Sequence, residues 1–128
     1  MIQPYLYIDE PGNRGRGVFT REAIDAETVV EVSPVIVLPP KDRALLDQTL
    51  LHDYIFEWGD DRDQCAMALG WIPLYNHSYE SNCEYFMDFS QQLMLVKTVR
   101  AIAPGEELTI NYNGDWNDEK RVWFETAD

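Results

Sequence analysis

Short apolar stretches rich in β-branched and aromatic residues recur along this chain, and turn-forming residues separate each stretch from the next. Residues of these types suit a pleated, half-buried surface, so each stretch is predicted to be a short strand. Many short strands with few helices favour a β-rich fold. The predicted strands are Tyr5–Ile8, Thr28–Val32, Val35–Leu38, Tyr54–Trp58, Cys65–Leu69, Glu84–Phe89, Leu93–Val99 and Glu107–Tyr112.

Two further segments have a helix-forming composition. Asp42–Leu50 predicts a short helix at the periphery of the fold. Asp115–Glu125 could close the chain as a second helix, with Asp115 or Asn117 as its N-cap.

The length of 128 residues suffices for one hydrophobic core and not for two, so residues 1–128 are predicted to form a single domain. Hydrophobic residues make up 45% of the chain and charged residues 26%, a balance that excludes a disordered chain dominated by charge. We expect no metal site, because no Cys-x-x-Cys pair occurs among the few sulfur and imidazole ligands, which are Cys65, Cys83, His52 and His77.

The charge is strongly acidic, with 10 Lys and Arg against 23 Asp and Glu and a net charge of −13. Such a surface repels phosphate backbones, so direct nucleic-acid binding is not expected. The acidic balance either keeps the protein soluble or attracts a basic, Lys-rich protein partner, and both can hold. The most apolar window, Val32–Pro40, is too short to span a bilayer, and we expect an intracellular protein with free thiols.

Three segments carry residues suited to a binding site. Asn13–Phe19 contains Gly15-Arg16-Gly17, where glycines allow a tight turn and a close approach of the backbone to a ligand, although a simple hairpin turn has the same pattern. Tyr75–Cys83 contains Asn76-His77-Ser78, which offers hydrogen-bond donors and acceptors, as a plain polar loop would too. Ile102–Tyr112 contains Gly105-Glu106-Glu107-Leu108-Thr109. A turn followed by a strand with a packed tyrosine has the same pattern.

Taken together and in this order, the three segments resemble the signature segments of SET-domain protein lysine methyltransferases. The second is similar to Asn-His-Ser-Cys-x-Pro-Asn, with Tyr79 and Ser81 in place of Cys and Pro. The third is similar to Ile-x-x-Gly-Glu-Glu-Leu-Thr-x-Asp-Tyr, with Asn111 in place of Asp. The resemblance implies the β-rich SET fold (β-clip type), built from several small sheets with few short helices. In this fold the C-terminal segment threads under a loop and forms a pseudoknot, an exception to the rule that protein chains are unknotted.

The resemblance also implies an activity, the transfer of a methyl group from S-adenosyl-L-methionine to a lysine of a protein. The acidic surface suggests a substrate segment rich in Lys or Arg, such as a histone-like or a ribosomal tail. Tyr112 is then the catalytic tyrosine. The residues that it implies for cofactor binding are Arg14, Gly15, Arg16, Gly17, Asn76, His77, Tyr112 and Trp123. Trp123 could stack on the adenine or merely anchor a terminal helix, and Trp116 and Phe124 are the other candidates for that wall, which a partner subunit could also complete.

The substrate lysine is expected in a narrow channel lined by Tyr85, with Tyr54 on the opposite side, although each could equally be a core aromatic of a strand. An apolar channel would lower the pKa of the amine from its usual value near 10.4, so no strong general base is required.

Three rival functions differ in what they explain. A Ser-His-Asp hydrolase lacks the Gly-x-Ser-x-Gly elbow. An acidic decoy that binds basic proteins through charge alone explains none of the motifs. The serious alternative is a catalytically weak or inactive SET-like protein-binding module, which the departures Tyr79, Ser81 and Asn111 would favour and an intact Tyr112 disfavours. We expect a monomer or homodimer in the cytoplasm, or in the nucleus if the source is eukaryotic.

Overall fold

The computed structural model describes residues 1–13 and 15–112. Most of this part is strand, and its one α-helix, α1 (Pro40–Leu46), has no buried residue. Single turns of 3-10 helix occur at Leu50–Asp53 and Ile72–Leu74. The strands are β1 (Leu6–Asp9), β2 (Gly17–Thr20), β3 (Val29–Leu38), β4 (Phe56–Trp58), β5 (Gln64–Ala68), β6 (Asn76–His77), β7 (Cys83–Asp88), β8 (Leu93–Thr98) and β9 (Glu107–Ile110).

A four-stranded sheet with the order β1-β2-β9-β6 brings the three sequence segments together. β2 pairs antiparallel with β9, so that Val18 lies opposite Leu108. β6 pairs with β9 in parallel, with Asn76 opposite Thr109 and His77 opposite Ile110. The glycine segment, the Asn-His pair and the Glu-Leu-Thr strand are therefore neighbours in one small sheet.

A five-stranded antiparallel sheet with the order β4-β5-β3-β8-β7 forms the second part of the fold. β7 and β8 make the hairpin that the sequence predicts. Its turn is held by Asp88, whose Oδ1 accepts hydrogen bonds from the Gln91 backbone N–H at 2.9 Å and from the Ser90 hydroxyl at 2.9 Å. These bonds and one from the Gln91 side chain hold the pKa of Asp88 below its ordinary value.

The two strands predicted at residues 28–32 and 35–38 are one continuous strand, β3. Pro34 suggests a break because it has no N–H to donate to a ladder. In the structure Pro34 is the last residue paired with β8, and Val35 is the first paired with β5. The missing donor therefore falls where β3 changes partner, and the strand continues.

The core lies between the two sheets and takes side chains from both. Its fully buried members include Val18, Leu108 and Ile110 from the smaller sheet and Met94 and Val96 from the larger one. A common core of this kind explains why two small sheets hold a fixed relative position.

The remaining structural predictions have mixed outcomes. The predicted helix at residues 42–50 is confirmed as short and peripheral, although it begins at Pro40 and ends at Leu46. The several small sheets of the expected fold are confirmed. The predicted helix Asp115–Glu125 lies outside the described residues, and the threading of the C-terminal segment stays a prediction. No helix within residues 1–13 and 15–112 is long and apolar enough to cross a membrane.

Candidate active site

One residue from each sequence segment meets at a single point of the smaller sheet. The Asn76 side-chain amide donates to Glu107 Oε2 at 2.7 Å and to the backbone oxygen of Arg16 at 3.2 Å. A Cβ at Gly17 would collide with Glu107 Oε2 and would lie 2.9 Å from Asn76 Nδ2. A side chain at position 17 would therefore displace the Glu107 carboxylate or the Asn76 amide, and glycine leaves room for both.

The backbone next to this point is open to a ligand. Gly15 has a φ of 76°, a conformation that side chains disfavour, and no atom of the described residues other than its chain neighbours lies within 4 Å of the position its Cβ would take. The Arg16 carbonyl faces the Asn76 amide. Arg14 lies outside the described residues, so its assignment stays a prediction.

His77 and Tyr112 are joined directly. The Tyr112 backbone N–H donates to His77 Nδ1 at 3.1 Å, and the two ring centroids lie 5.1 Å apart. His77 is buried, with 2% of its surface exposed. Because Nδ1 accepts this bond, a neutral His77 ring carries its proton on Nε2.

The Tyr112 side chain is fixed at its other end as well. Its hydroxyl donates to the backbone oxygen of Tyr75 at 2.8 Å. Tyr75 is fully buried, and burial is the main reason that the pKa of its own phenol is raised well above 10.0. The acceptor of the Tyr112 hydroxyl is thus the backbone carbonyl of a buried residue.

Tyr85 lies beside Tyr112, and its assignment to the lysine channel stays a prediction. The Tyr85 hydroxyl donates to the backbone oxygen of Tyr112 at 3.2 Å. The ring of Phe56 in β4 packs against Tyr85, with centroids 5.3 Å apart. Tyr54, two residues before Phe56, is half-buried at the end of a 3-10 turn, and no ring contact or hydrogen bond joins it to Tyr85 or Tyr112 within the described residues. Its role in the channel stays a prediction.

The three departures from the family pattern have local structural partners. Tyr79 packs edge-on against the ring of His77, with centroids 4.5 Å apart. The buried Ser81 hydroxyl donates to the Cys83 carbonyl at 2.7 Å. The buried Asn111 amide donates to the Tyr79 carbonyl at 3.3 Å. Each replacement supports the loop around His77 and leaves Tyr112 in place.

Asn82 joins this loop to β9. Its side-chain amide donates to the Glu107 carbonyl at 2.8 Å, and its Oδ1 accepts from the Thr109 N–H at 2.8 Å. Asn82 is 3% exposed, so these bonds are shielded from water. They hold the segment after His77 against the strand that leads to Tyr112.

Three residues of this region are missed by the sequence-based site prediction: Glu107, Tyr75 and Glu31. Glu107 lies in Ile102–Tyr112 and Tyr75 in Tyr75–Cys83. Only the structure shows that they hydrogen-bond to Asn76 and Tyr112, respectively. Glu31 in β3 is fully buried, and its Oε2 accepts from the Ser33 hydroxyl at 2.7 Å and from the Trp71 N–H at 2.8 Å. Polar residues in an otherwise apolar strand, at positions 31 and 33, are the one signal in the sequence.

Trp116, Trp123 and Phe124, the candidates for the adenine wall, lie outside the described residues, and their assignment stays a prediction. Within the described residues no group of three or more His, Cys, Asp and Glu side chains is placed to hold a metal ion.

Comparison with known proteins places this geometry in a family. Residues 15–113 match the SET domain family. The chain is 32% identical over 126 residues to the histone-lysine N-methyltransferase of Schizosaccharomyces pombe that is specific for lysine-37 of histone H3, covering 98% of this chain and 80% of that protein. The chain belongs to the SET domain family. A crystal structure of a Plasmodium falciparum protein assigned as a histone methyltransferase matches with a TM-score of 0.64 and 25% identity, over 90% of this chain and 98% of that one.

Membership of the SET family makes the chain a protein-lysine N-methyltransferase that acts on a protein substrate. Enzymes of this family depend on S-adenosylmethionine. The predicted SET fold and the predicted enzyme class are both confirmed.

Proposed function

We propose that this chain methylates a lysine in a basic, histone-like protein segment, with S-adenosylmethionine held beside Asn76 and His77 and with Tyr112 as the catalytic residue. The observation that carries the proposal is the meeting of Gly17, Asn76 and Glu107, next to the contact between His77 and Tyr112.

The chemistry of this region fits the cofactor. The open, left-handed backbone at Gly15 lets a ligand approach the main chain closely. The Asn76 Oδ1 accepts no hydrogen bond from a described residue and suits the α-ammonium of an amino-acid group. When bound, S-adenosylmethionine supplies an electrophilic methyl group to a neutral amine. The residues proposed to hold it are Arg14, Gly15, Arg16, Gly17, Asn76, His77, Tyr112 and Trp123.

Tyr112 is proposed to align the reacting atoms. Its hydroxyl proton is donated to the Tyr75 carbonyl, so the hydroxyl oxygen faces other groups as an acceptor. An oxygen in that orientation can accept weak C–H hydrogen bonds from a polarised methyl group. Holding amine and methyl in line supplies a large part of the rate of such a displacement.

The lysine amine must lose its proton before it can attack. Tyr85, packed between Phe56 and Tyr112, gives one wall of a largely apolar channel, and Tyr54 is proposed for the opposite wall. Such surroundings disfavour the ammonium form and lower the lysine pKa from about 10.4. The released proton can pass through water to solvent, so no carboxylate base is needed.

Two observations favour a basic, Lys-rich substrate. The net charge of the chain is −13. A cavity of about 460 Å³ beside the His77 loop is lined by Glu27, Glu80 and Glu84 together with Arg100. Charge complementarity of this kind speeds encounter with basic segments and selects among them. Because the Schizosaccharomyces pombe relative acts on histone H3, the tail of that histone is the first substrate to test.

The cofactor assignment is tested by titrating S-adenosylmethionine into the purified protein by calorimetry, with Asn76→Ala and Tyr112→Phe beside it. We expect saturable one-to-one binding that Asn76→Ala weakens and Tyr112→Phe largely keeps. No binding by folded protein, even with a basic peptide present, would contradict the assignment.

The substrate assignment is tested by mass spectrometry after incubation with histone H3 tail peptides. The matched control is the same peptide with arginine in place of lysine-37, which keeps the charge and removes that acceptor. Methylation of the unchanged peptide at lysine-37 alone would show that this chain has the lysine-37 specificity of its relative. Methylation of both at another lysine would retain the enzyme class and reject the site.

The alternative function is a SET-like protein-binding module with little transferase activity. The departures that favour it, Tyr79, Ser81 and Asn111, are accommodated by local contacts in the structure. Tight binding of basic peptides without cofactor binding would support this alternative.

We further propose that residues 1–128 form a single SET domain, monomeric or homodimeric, without direct affinity for nucleic acid. Limited proteolysis and sedimentation test the first two statements, and a DNA titration at low salt tests the third. A histone substrate favours the nucleus over the cytoplasm as its location in a eukaryotic cell, which a fluorescent fusion would test.

A further inference from the structure

The orientation of the Asn76 amide is settled by its two partners. The Arg16 carbonyl and the Glu107 carboxylate can only accept hydrogen bonds, at 3.2 Å and 2.7 Å from Asn76 Nδ2. Both N–H groups of the amide are therefore used within the protein. The Oδ1 atom must point away from these two groups.

Glu107 is the stronger of the two orienting partners. A hydrogen bond from an amide to a charged carboxylate is stronger than one to a neutral carbonyl, and this one is also the shorter. A half-turn of the amide would set Asn76 Oδ1 against the Glu107 carboxylate and the Arg16 carbonyl, three acceptors with no proton between them. That orientation is strongly disfavoured.

Gly17 makes this arrangement possible, because a Cβ at that position would occupy the space of the Glu107 carboxylate and crowd the Asn76 amide. The glycine, the asparagine and the glutamate therefore form one unit. We call it the amide clamp, made of Gly17, Asn76 and Glu107.

We propose that Glu107 is a positioning residue that fixes the Asn76 amide with its oxygen presented to the α-ammonium of the cofactor. The inference rests on the proposed function, in which Asn76 contacts the amino-acid part of S-adenosylmethionine. An ammonium group has only donors, so it binds the amide oxygen and is repelled by the amide N–H groups. Glu107 thus acts on recognition of the amino-acid part through Asn76, without touching the cofactor.

The experiment compares two ligands that differ in that part. S-adenosylhomocysteine carries the α-ammonium and the carboxylate, whereas 5′-methylthioadenosine is an adenosine thioether without them. Calorimetry is done on the full chain with wild type, Glu107→Met, which keeps side-chain length and removes the acceptor, and Glu107→Gln, which keeps an acceptor oxygen. We expect Glu107→Met to weaken the affinity for S-adenosylhomocysteine about 10-fold and to change the affinity for 5′-methylthioadenosine less than about twofold. Glu107→Gln should recover most of the lost affinity for S-adenosylhomocysteine.

The matched control is Glu106→Met, which removes the neighbouring carboxylate that accepts hydrogen bonds from Arg100, from the Ala103 N–H and, at 3.3 Å, from the Asn82 amide. It should leave the ratio of the two affinities unchanged. In an Asn76→Ala background, Glu107→Met should not weaken the affinity for S-adenosylhomocysteine any further, because the amide that Glu107 orients is gone.

Equal weakening of both ligands by Glu107→Met would assign Glu107 a purely structural role and overturn the inference, as would unchanged affinity for S-adenosylhomocysteine. Glu107→Ala provides the same comparison if the methionine variant does not fold. Wild type that binds neither ligand would instead overturn the proposed function, and the inference would fall with it.

Discussion

The Tyr112 hydroxyl donates a 2.8 Å hydrogen bond to the backbone carbonyl of Tyr75, while the Tyr112 backbone N–H donates to His77 Nδ1 at 3.1 Å. The tyrosine is thus held at both ends by the segment that contains Asn76 and His77. The Tyr112 side chain cannot change its rotamer without breaking the partly buried hydrogen bond to Tyr75. In the proposed site, two hydrogen bonds therefore link the catalytic tyrosine directly to the segment that binds the cofactor.

Tyr112→Phe tests the catalytic role. The phenylalanine keeps the ring against His77 and removes the hydroxyl that is proposed to align the reacting atoms, so we expect kcat to fall about 100-fold. Affinity for S-adenosylmethionine should change less than about threefold, because the ring and the backbone N–H remain. Single-turnover kinetics and calorimetry measure the two quantities. An unchanged kcat would remove Tyr112 from the chemistry.

The strands were largely predictable because their apolar patterns are local. The β7–β8 hairpin and β9 follow the predicted boundaries within about two residues. The continuity of β3 was not predictable, since it depends on Pro34 lying where the strand changes partner. The parallel pairing of β6 with β9 joins residues more than thirty positions apart and leaves no local signal.

The site was predictable as a set of segments and not as a set of contacts. The motifs identify Asn76, His77 and Tyr112, but the partners that orient them, Glu107 and Tyr75, are defined only by tertiary packing. Residue type alone could not separate channel aromatics from core aromatics. The structure sets Tyr85 beside Tyr112, and Phe56 is the residue of β4 that packs on it.

Gly17→Ala tests the amide clamp from the side of its glycine. The added methyl group would collide with Glu107 Oε2 and crowd Asn76 Nδ2, so we expect affinity for S-adenosylmethionine to fall at least about 10-fold and the protein to lose about 1–3 kcal/mol of stability. Gly12→Ala is the matched control, since no atom of residues 1–13 and 15–112 outside its chain neighbours lies within 4 Å of its Cβ position. Calorimetry and urea unfolding of both variants check this. Equal effects at the two positions would contradict the steric explanation.

Tyr85→Phe tests whether the Tyr85 hydroxyl limits the space around the amine of the substrate lysine. Loss of its hydroxyl frees space beside the Tyr112 carbonyl while the ring stays packed on Phe56. We expect the product ratio, measured by mass spectrometry on a methylated peptide, to shift toward more methyl groups. Tyr7→Phe, which lies in β1 and stacks on Phe19, is the control. An unchanged mono-, di- and trimethyl ratio would count against this role for Tyr85.

Glu31→Gln tests a buried acid beneath the site. Burial raises the pKa of Glu31 above its ordinary value of 4.5, and the hydrogen bonds from Ser33 and from the Trp71 backbone oppose that rise only in part. An acid whose pKa is higher in the folded state stabilises fully below the unfolded value, and that contribution is lost as pH rises through the folded value. Stability of the wild type should therefore fall, relative to Glu31→Gln, as pH rises above about 4.5. The glutamine variant has no charge at this position and serves as the reference.

Urea unfolding of the two proteins between about pH 4 and pH 8 measures this difference from below the unfolded pKa upward. Other carboxyls contribute equally to both proteins, including Glu106, whose pKa is lowered mainly by its hydrogen bond from Arg100, so they cancel in the subtraction. We expect the difference in unfolding free energy to change steadily with pH until the folded pKa is passed, and then to level off. A difference that is constant across this range would mean that Glu31 titrates alike in the folded and unfolded chain. The charge of the buried carboxyl would then be balanced by its hydrogen bonds, which include those from Ser33 and from the Trp71 backbone.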